Sequence, residues 1–246
     1  MRYLILSDLH ANREALEAVM ASAAGKFDRL LCCGDLVGYG ADPAWMVEWC
    51  RTSLEGVVRG NHDKACAGLE DLEWFNPSAK ASALWTQAVL SPVDIGYLAN
   101  LPMGPSLVDG FTLIHGSPVD EDEYLIQARE VAEIRDYLDT DVTFFGHTHV
   151  QGGFLVHRNG VKSFHAIAQH ESSAVFELEQ DSRYLINPGS VGQPRDGDPR
   201  AAYVIYNPAE RVVEYFRTEY DIPAAQAKIR AAGLPPNLAD RLARGT

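Results

Sequence analysis

Apolar residues fall in short unbroken runs separated by helical spacing along the first part of the chain, and near residue 150 the pattern changes to successive strand-like segments joined by short turns. Residues 2–7 (R-Y-L-I-L-S) form a brief, nearly continuous apolar run, as expected of a strand covered on both faces. Leu30 to Cys33, Val57-Val58, Phe111 to Ile114 and Val142 to Phe145 repeat that pattern. Between these runs the spacing turns helical. Asn12 can cap a helix whose Leu16, Val19, Met20 and Ala23 share one face. Asp42-Pro43 predicts another helix, with proline at its first position, running to about Ser53. Residues 77–100 read as helical with a break and restart at Ser91-Pro92, and a further helix is expected near 127–138.

Beyond 150, segments near 151–156, 161–167, 173–178, 183–186, 202–206 and 211–217 read as strands joined by short turns such as R-N-G at 158–160. Pro223 to Ala232 and Pro236 to Arg244 are expected as terminal helices, the first closed by Gly233. No internal repeat, low-complexity tract or linker interrupts the chain, so residues 1–246 read as a single domain. Its expected order is α/β first, then a more antiparallel second sheet.

Chemistry gathers just past the ends of the early strands. Asp8-Leu9-His10 follows the first, Gly34-Asp35 the second and Gly60-Asn61-His62-Asp63 the third. His115-Gly116 follows the run at 111–114, and Gly146-His147-Thr148-His149 the run at 142–145. In an open α/β sheet the carboxyl ends of the strands form the crevice that binds ligands. These loops would therefore deliver Asp, Asn and His to one edge. Oxygen from Asp and Asn with nitrogen from neutral His suits Mn, Fe, Zn or Ni. Two such ions about 3.5–4 Å apart can clamp the attacking and leaving oxygens of an in-line displacement, provided that a carboxylate is shared.

Composition narrows the field further. A 46% hydrophobic, 22% charged chain of 246 residues is that of a globular protein, and no stretch approaches membrane-spanning length. The apolar run at the N-terminus is too short for a secretion signal, and Cys32, Cys33, Cys50 and Cys66 lack zinc-site spacing. Reduced core cysteines in a cytoplasmic protein are the expectation. With 21 Lys and Arg against 34 Asp and Glu the net charge is −13, which disfavours general nucleic-acid binding. It also repels anionic substrates, unless two divalent ions bring the site to about +1 with Asp8, Asp35 and a hydroxide counted.

The series D-x-H, G-D, G-N-H-D, H-G and G-H-T-H resembles the calcineurin-like metallophosphoesterase superfamily, with motifs spanning residues 8 to 149. The resemblance implies a four-layer α/β/β/α sandwich and a two-metal phosphoesterase, manganese being the first choice in vitro. It implies that Asp8, His10 and His149 hold one metal, that Asn61, His115 and His147 hold the other, and that Asp35 bridges them. It makes a bridging hydroxide the nucleophile. His62 would protonate the leaving oxygen, oriented by Asp63.

The sequence also departs from parts of that superfamily. Its protein Ser/Thr phosphatases usually carry G-D-x-V-D-R-G, whose arginine grips phosphate; here residues 34–40 read G-D-L-V-G-Y-G, with Tyr39 in the arginine's place. A small phosphorylated substrate, monoester or diester, is the expectation; a protein phosphatase or a non-catalytic metal-binding scaffold is the alternative. The chain is similar to the prokaryotic group that carries a late N-P-G-S-V-G-Q-P-R segment, here Asn187 to Arg195. There, Gly189 and Ser190 could present backbone N–H groups and Arg195 a cation to a phosphate; Tyr39 and Arg59 near the earlier motifs are further candidates. His157, His165 and His170 lie outside any motif, and Trp45, Trp49, Trp74, Phe75 and Trp85 read as core.

Overall fold

The computed structural model describes residues 1–168 and 171–246. The first apolar run becomes β1 (Tyr3–Leu6), and α1 (Arg13–Ala23) follows with its first turn capped by Asn12 Oδ1, 3.2 Å from the Ala15 amide. β2 (Arg29–Cys32), α2 (Pro43–Ser53) and β3 (Gly56–Val57) continue the parallel pattern. Asp42 precedes α2, but its carboxylate accepts from Lys228 Nζ at 2.7 Å rather than capping an amide. The G-N-H-D turn opens α3 (Asn61–Cys66), a short helix that the apolar pattern did not reveal.

α4 (Pro77–Val89) and α5 (Pro92–Ala99) are separated at Ser91, whose hydroxyl accepts from the Asp94 amide. β4 (Ser106–Val108), also unforeseen, forms a hairpin with β5 (Phe111–Leu113). α6 (Ala128–Ile134) and β6 (Val142–Phe144) come next. The later strand-like segments give β7 (Gly152–His157), β8 (Gly160–His165), β9 (Ser173–Glu177), β10 (Arg183–Asn187), β11 (Ala201–Asn207) and β12 (Val212–Thr218). α7 (Ile222–Ala231) and α8 (Pro236–Asp240) finish the chain.

The strands do not divide into an early and a late sheet. One sheet runs β3-β2-β1-β11-β12-β9 and the other β4-β5-β6-β10-β7-β8. Each therefore mixes early parallel strands with late ones, which corrects the expectation of a separate antiparallel second sheet. β11 lies antiparallel to β1, and β10 parallel to β6. Strand alternation tells which face a residue takes; it carries no information about the neighbouring strand.

Three apolar layers separate four structural ones, giving the expected α/β/β/α sandwich. Tyr3, Ile5, Leu31 and Val204 of the first sheet meet Phe111, Leu113, Phe144 and Ile186 of the second. The alternate residues Leu4, Leu6, Cys32 and Tyr203 face α1 and α2, while Phe145, Phe154 and Leu185 face α6. All four cysteines are buried and unpaired. Trp45, Trp49 and Phe75 pack against these layers and Trp85 against a further cluster that includes Tyr39, Ile229 and Leu238, but Trp74 is 91% exposed and does not belong to the core. His157 and His165 lie on β7 and β8, away from the motif loops, and His170 lies outside the described residues. Among the described residues no helix is long and apolar enough to cross a membrane.

Candidate metal centre

The parallel strands β1, β2, β5 and β6 all end at one edge, and each releases its loop there. Two buried clusters result. Asp8, His10, Asp35 and His149 offer donor atoms within 4.8 Å of one another, and so do Asp35, His115 and His147. Asp35 belongs to both. Asn61 Oδ1 lies 3.3 Å from His115 Nε2, beside the second cluster.

The local backbone makes this convergence possible. Asp8 (φ 53°), His10 (φ 48°), Asp35 (φ 56°), His147 (φ 66°) and His149 (φ 60°) all adopt the left-handed conformation. Each such residue costs roughly 1 kcal/mol or more, and the surrounding hydrogen bonds hold them there. The Asp8 amide donates to Gly34 O at 2.9 Å and the His10 amide to Asp35 O at 3.0 Å. The late N-P-G-S-V-G-Q-P-R segment braces the same loop from the other side. Val191 N donates to Ser7 O, Gly192 N to Asp8 O, and Asn12 Nδ2 to Gly192 O.

Backbone carbonyls also fix the imidazole tautomers. His10 Nδ1 lies 3.0 Å from Val37 O, His115 Nδ1 2.7 Å from Cys33 O, and His149 Nδ1 2.6 Å from Gln193 O. A carbonyl can only accept, so each Nδ1 carries a proton and Nε2 is the atom that each ring turns inward. His147 is reversed: its Nε2 donates to Asp122 O at 3.1 Å, leaving Nδ1 free to face the site.

These atoms fit a pair of cations. His10 Nε2 and His149 Nε2 stand 3.1 Å apart, an unfavourable approach of two lone pairs unless something positive lies beside both. Burial holds His10 well below its usual value and His149 below it as well, the latter helped by the charge of Arg195. Asp8 Oδ2 and Asp35 Oδ2 are buried with no hydrogen-bond partner among the described residues. Burial also depresses His115, yet the charges of Asp35 and Asp8 override it and hold that ring up at about 10. The carboxylates thus draw positive charge to the point where an ion would sit.

Two sequence expectations need correction. Asp63 does not orient His62: adjacent residues on a helix do not face each other. Its Oδ1 accepts from the Leu36 and Val37 amides at 2.8 and 3.2 Å, and its Oδ2 from the Gly60 amide at 3.0 Å. Asp63 therefore ties the Gly34-Asp35 loop to the Gly60 turn. Ser190 is fully buried; its hydroxyl donates to Asp8 O and accepts from the Gln193 amide, so it braces the first loop instead of opening toward a ligand.

The remaining candidates divide. Arg59 is held by Glu121 in an ion pair of 2.7 Å. Arg195 reaches the site: its Nη2 lies 3.3 Å from the Tyr39 hydroxyl, and Tyr39 packs 4.7 Å from the His10 ring and 4.3 Å from the His62 ring. Burial pushes His62 down to about 4, against the pull of Asp35 and with the push of Arg195, and its Nδ1 has no partner among the described residues. Sequence reasoning missed Tyr124, whose ring lies 3.7 Å from that of His147. The one available signal was an aromatic residue within the acidic stretch D-E-D-E-Y just after the His115 motif.

Known proteins bear on this geometry. A family profile described as the calcineurin-like phosphoesterase superfamily domain matches residues 1–210. The chain is 35% identical over 258 residues to an uncharacterized protein, MJ0912, of Methanocaldococcus jannaschii, an alignment covering 98% of this chain and 97% of that one. It is 41% identical to a metallophosphoesterase from Sphaerobacter thermophilus whose crystal structure superposes with a TM-score of 0.87, covering 100% of this chain and 99% of the other. The hypothetical protein PH1004 from Pyrococcus horikoshii OT3, at 19% identity and a TM-score of 0.76, shares the fold over 100% of this chain and 98% of its own.

Proposed function

The chain belongs to the calcineurin-like phosphoesterase superfamily, and from that premise we propose that it hydrolyses a small phosphomonoester or phosphodiester with the help of two divalent ions. Asp8, His10 and His149 would hold one ion, Asn61, His115 and His147 the other, with Asp35 between them. When bound, the ions supply Lewis acidity toward the phosphoryl oxygens and an activated water at neutral pH. The oxygen and nitrogen donors admit Mn, Fe, Zn or Ni.

The chain's own residues do the rest. Backbone carbonyls hold the imidazoles in their ligating tautomers, and Asp63 keeps the Asp35 and Asn61 loops in register. Arg195, backed by the Tyr39 hydroxyl, offers a guanidinium to the phosphate. His62 supplies a proton to the departing oxygen; a phosphate anion beside it favours the protonated ring that burial alone disfavours.

The observation that carries this reading is the pair of buried ligand clusters with Asp35 in common. Its test joins a metal-content assay to hydrolysis of p-nitrophenyl phosphate and its bis-ester. Asp35→Asn is expected to lose at least one ion and all metal-dependent turnover. His62→Ala is expected to keep both ions and lose roughly 100-fold or more in kcat. A wild-type protein that binds no metal pair, or an Asp35→Asn variant as active as wild type, would contradict the proposal.

A further inference from the structure

The departing group of such a reaction has to lie against His62, and the structure provides a chamber on that side. A cavity of about 300 Å³ includes His62, Asn61 and His147 in its lining together with the rings of Tyr39, Trp74, Phe75 and Tyr124. The Phe75 ring stands edge-on to His62 with centroids 5.4 Å apart, and Tyr124 lies over His147. Trp74 is 91% exposed although it lines this cavity. An indole left in water beside reactive side chains offers a planar apolar face to something that binds there.

The charged residues of the wall restrict what that something is. Glu70 and Asp122 line the cavity, and Lys64 Nζ joins both, 3.3 Å from Glu70 Oε2 and in direct contact with Asp122. Lys64 also meets Glu121, 3.4 Å away, which pairs with Arg59; three carboxylates against two cations leave this wall negative, whereas the Arg195 side is positive. Asp122 Oδ1 has no hydrogen-bond partner among the described residues. A negative departing group would be repelled here; a neutral one that brings a flat ring and N–H donors would be complementary.

We infer that this cavity is a leaving-group subsite for a nucleoside, with Trp74 as a specificity-determining residue, so that the substrates are nucleoside monophosphates or diesters that release a neutral nucleoside. The inference rests on the phosphoesterase reading and names its substrate class. For adenosine 5′-monophosphate, water adds to phosphorus, the bond from phosphorus to the 5′ oxygen breaks, and that oxygen leaves with a proton as adenosine, releasing inorganic phosphate.

The test compares kcat/KM for adenosine 5′-monophosphate and for glycerol 2-phosphate in the Mn2+-loaded protein. The ratio is expected to favour the nucleotide in wild type, to fall about tenfold in Trp74→Ala and to recover in Trp74→Phe, as stacking on an aromatic ring requires. A wild type that prefers glycerol 2-phosphate, or a ratio that Trp74→Ala leaves as it was, overturns the subsite while the phosphoesterase reading stands. Hydrolysis of neither substrate, nor of the p-nitrophenyl esters, overturns both. A readout independent of turnover is adenosine quenching of tryptophan fluorescence in chelator-treated protein. Quenching that Trp74→Phe removes supports the subsite, and its absence in wild type counts against it.

Discussion

At the floor of the site, His10, His115, His147 and His149 are each tied to a backbone carbonyl, and one oxygen of Asp35 is tied to the His62 amide at 2.8 Å. At its wall, in the same cavity as His147, Trp74 is 91% exposed and Tyr124 is 45% exposed. The floor fixes donor atoms in strained loops, as a metal pair demands, because a ligand displaced by half an ångström no longer coordinates. The wall asks only for a surface of the right shape and sign. Precise chemistry is thus built from backbone-anchored turns, and selectivity from side chains on the connections above them.

Three substitutions would break or sharpen that contrast. The largest effect is expected from Gly60→Ala. An added Cβ would lie 2.1 Å from Asp35 Oδ1 and 2.4 Å from the Asp35 amide, so Asp35 has to move. Metal stoichiometry should fall below two, with a loss of about 3 kcal/mol in stability by denaturant unfolding. Full metal content in this variant would show that the floor tolerates displacement after all.

Asp63→Asn should act at one remove. It places an amide nitrogen where a carboxylate oxygen now accepts from Leu36, Val37 or Gly60. Metal affinity measured by competition with a chelator is expected to weaken about tenfold to a hundredfold, while both ions still bind at saturation. Unaltered affinity would mean that the loops hold themselves. The smallest structural effect is expected from Arg195→Ala, whose side chain bonds Tyr39 and Gln193 at the surface of the site. Stability should change by about 0.5 kcal/mol or less, while kcat/KM falls about tenfold to a hundredfold with metal content intact. A large loss of stability would move Arg195 from the wall to the floor.

Much of this was legible in the chain itself, and the gaps have physical causes. Short apolar runs located β1, β2, β5 and β6, and the polar residues just after them proved to be neighbours because parallel strands bring their carboxyl ends to one edge. What escaped was pairing. Nothing in Ala201–Asn207 says that it lies beside β1, because an apolar strand buried on both faces looks the same whichever neighbour it has. The role of Asp63 is hidden for a related reason: its partners Leu36 and Val37 are close in space but 27 and 26 residues away in sequence. β4 escaped because three residues at a hairpin tip carry too little pattern to register. Residue type alone points Trp74 to the core, and only the folded surface shows otherwise.

The bonds from Val191 and Gly192 back to Ser7 and Asp8 also constrain how the molecule is made. A ribosome delivers Asp8 and His10 long before it delivers the segment that pins them, and β1 waits equally for β11 to fill its open side. During synthesis the nascent chain therefore carries those two side chains on a loop whose final curvature has not been set. Any capture of ions then depends on synthesis of the segment around Val191 and Gly192, and a product terminated before it would emerge without that brace.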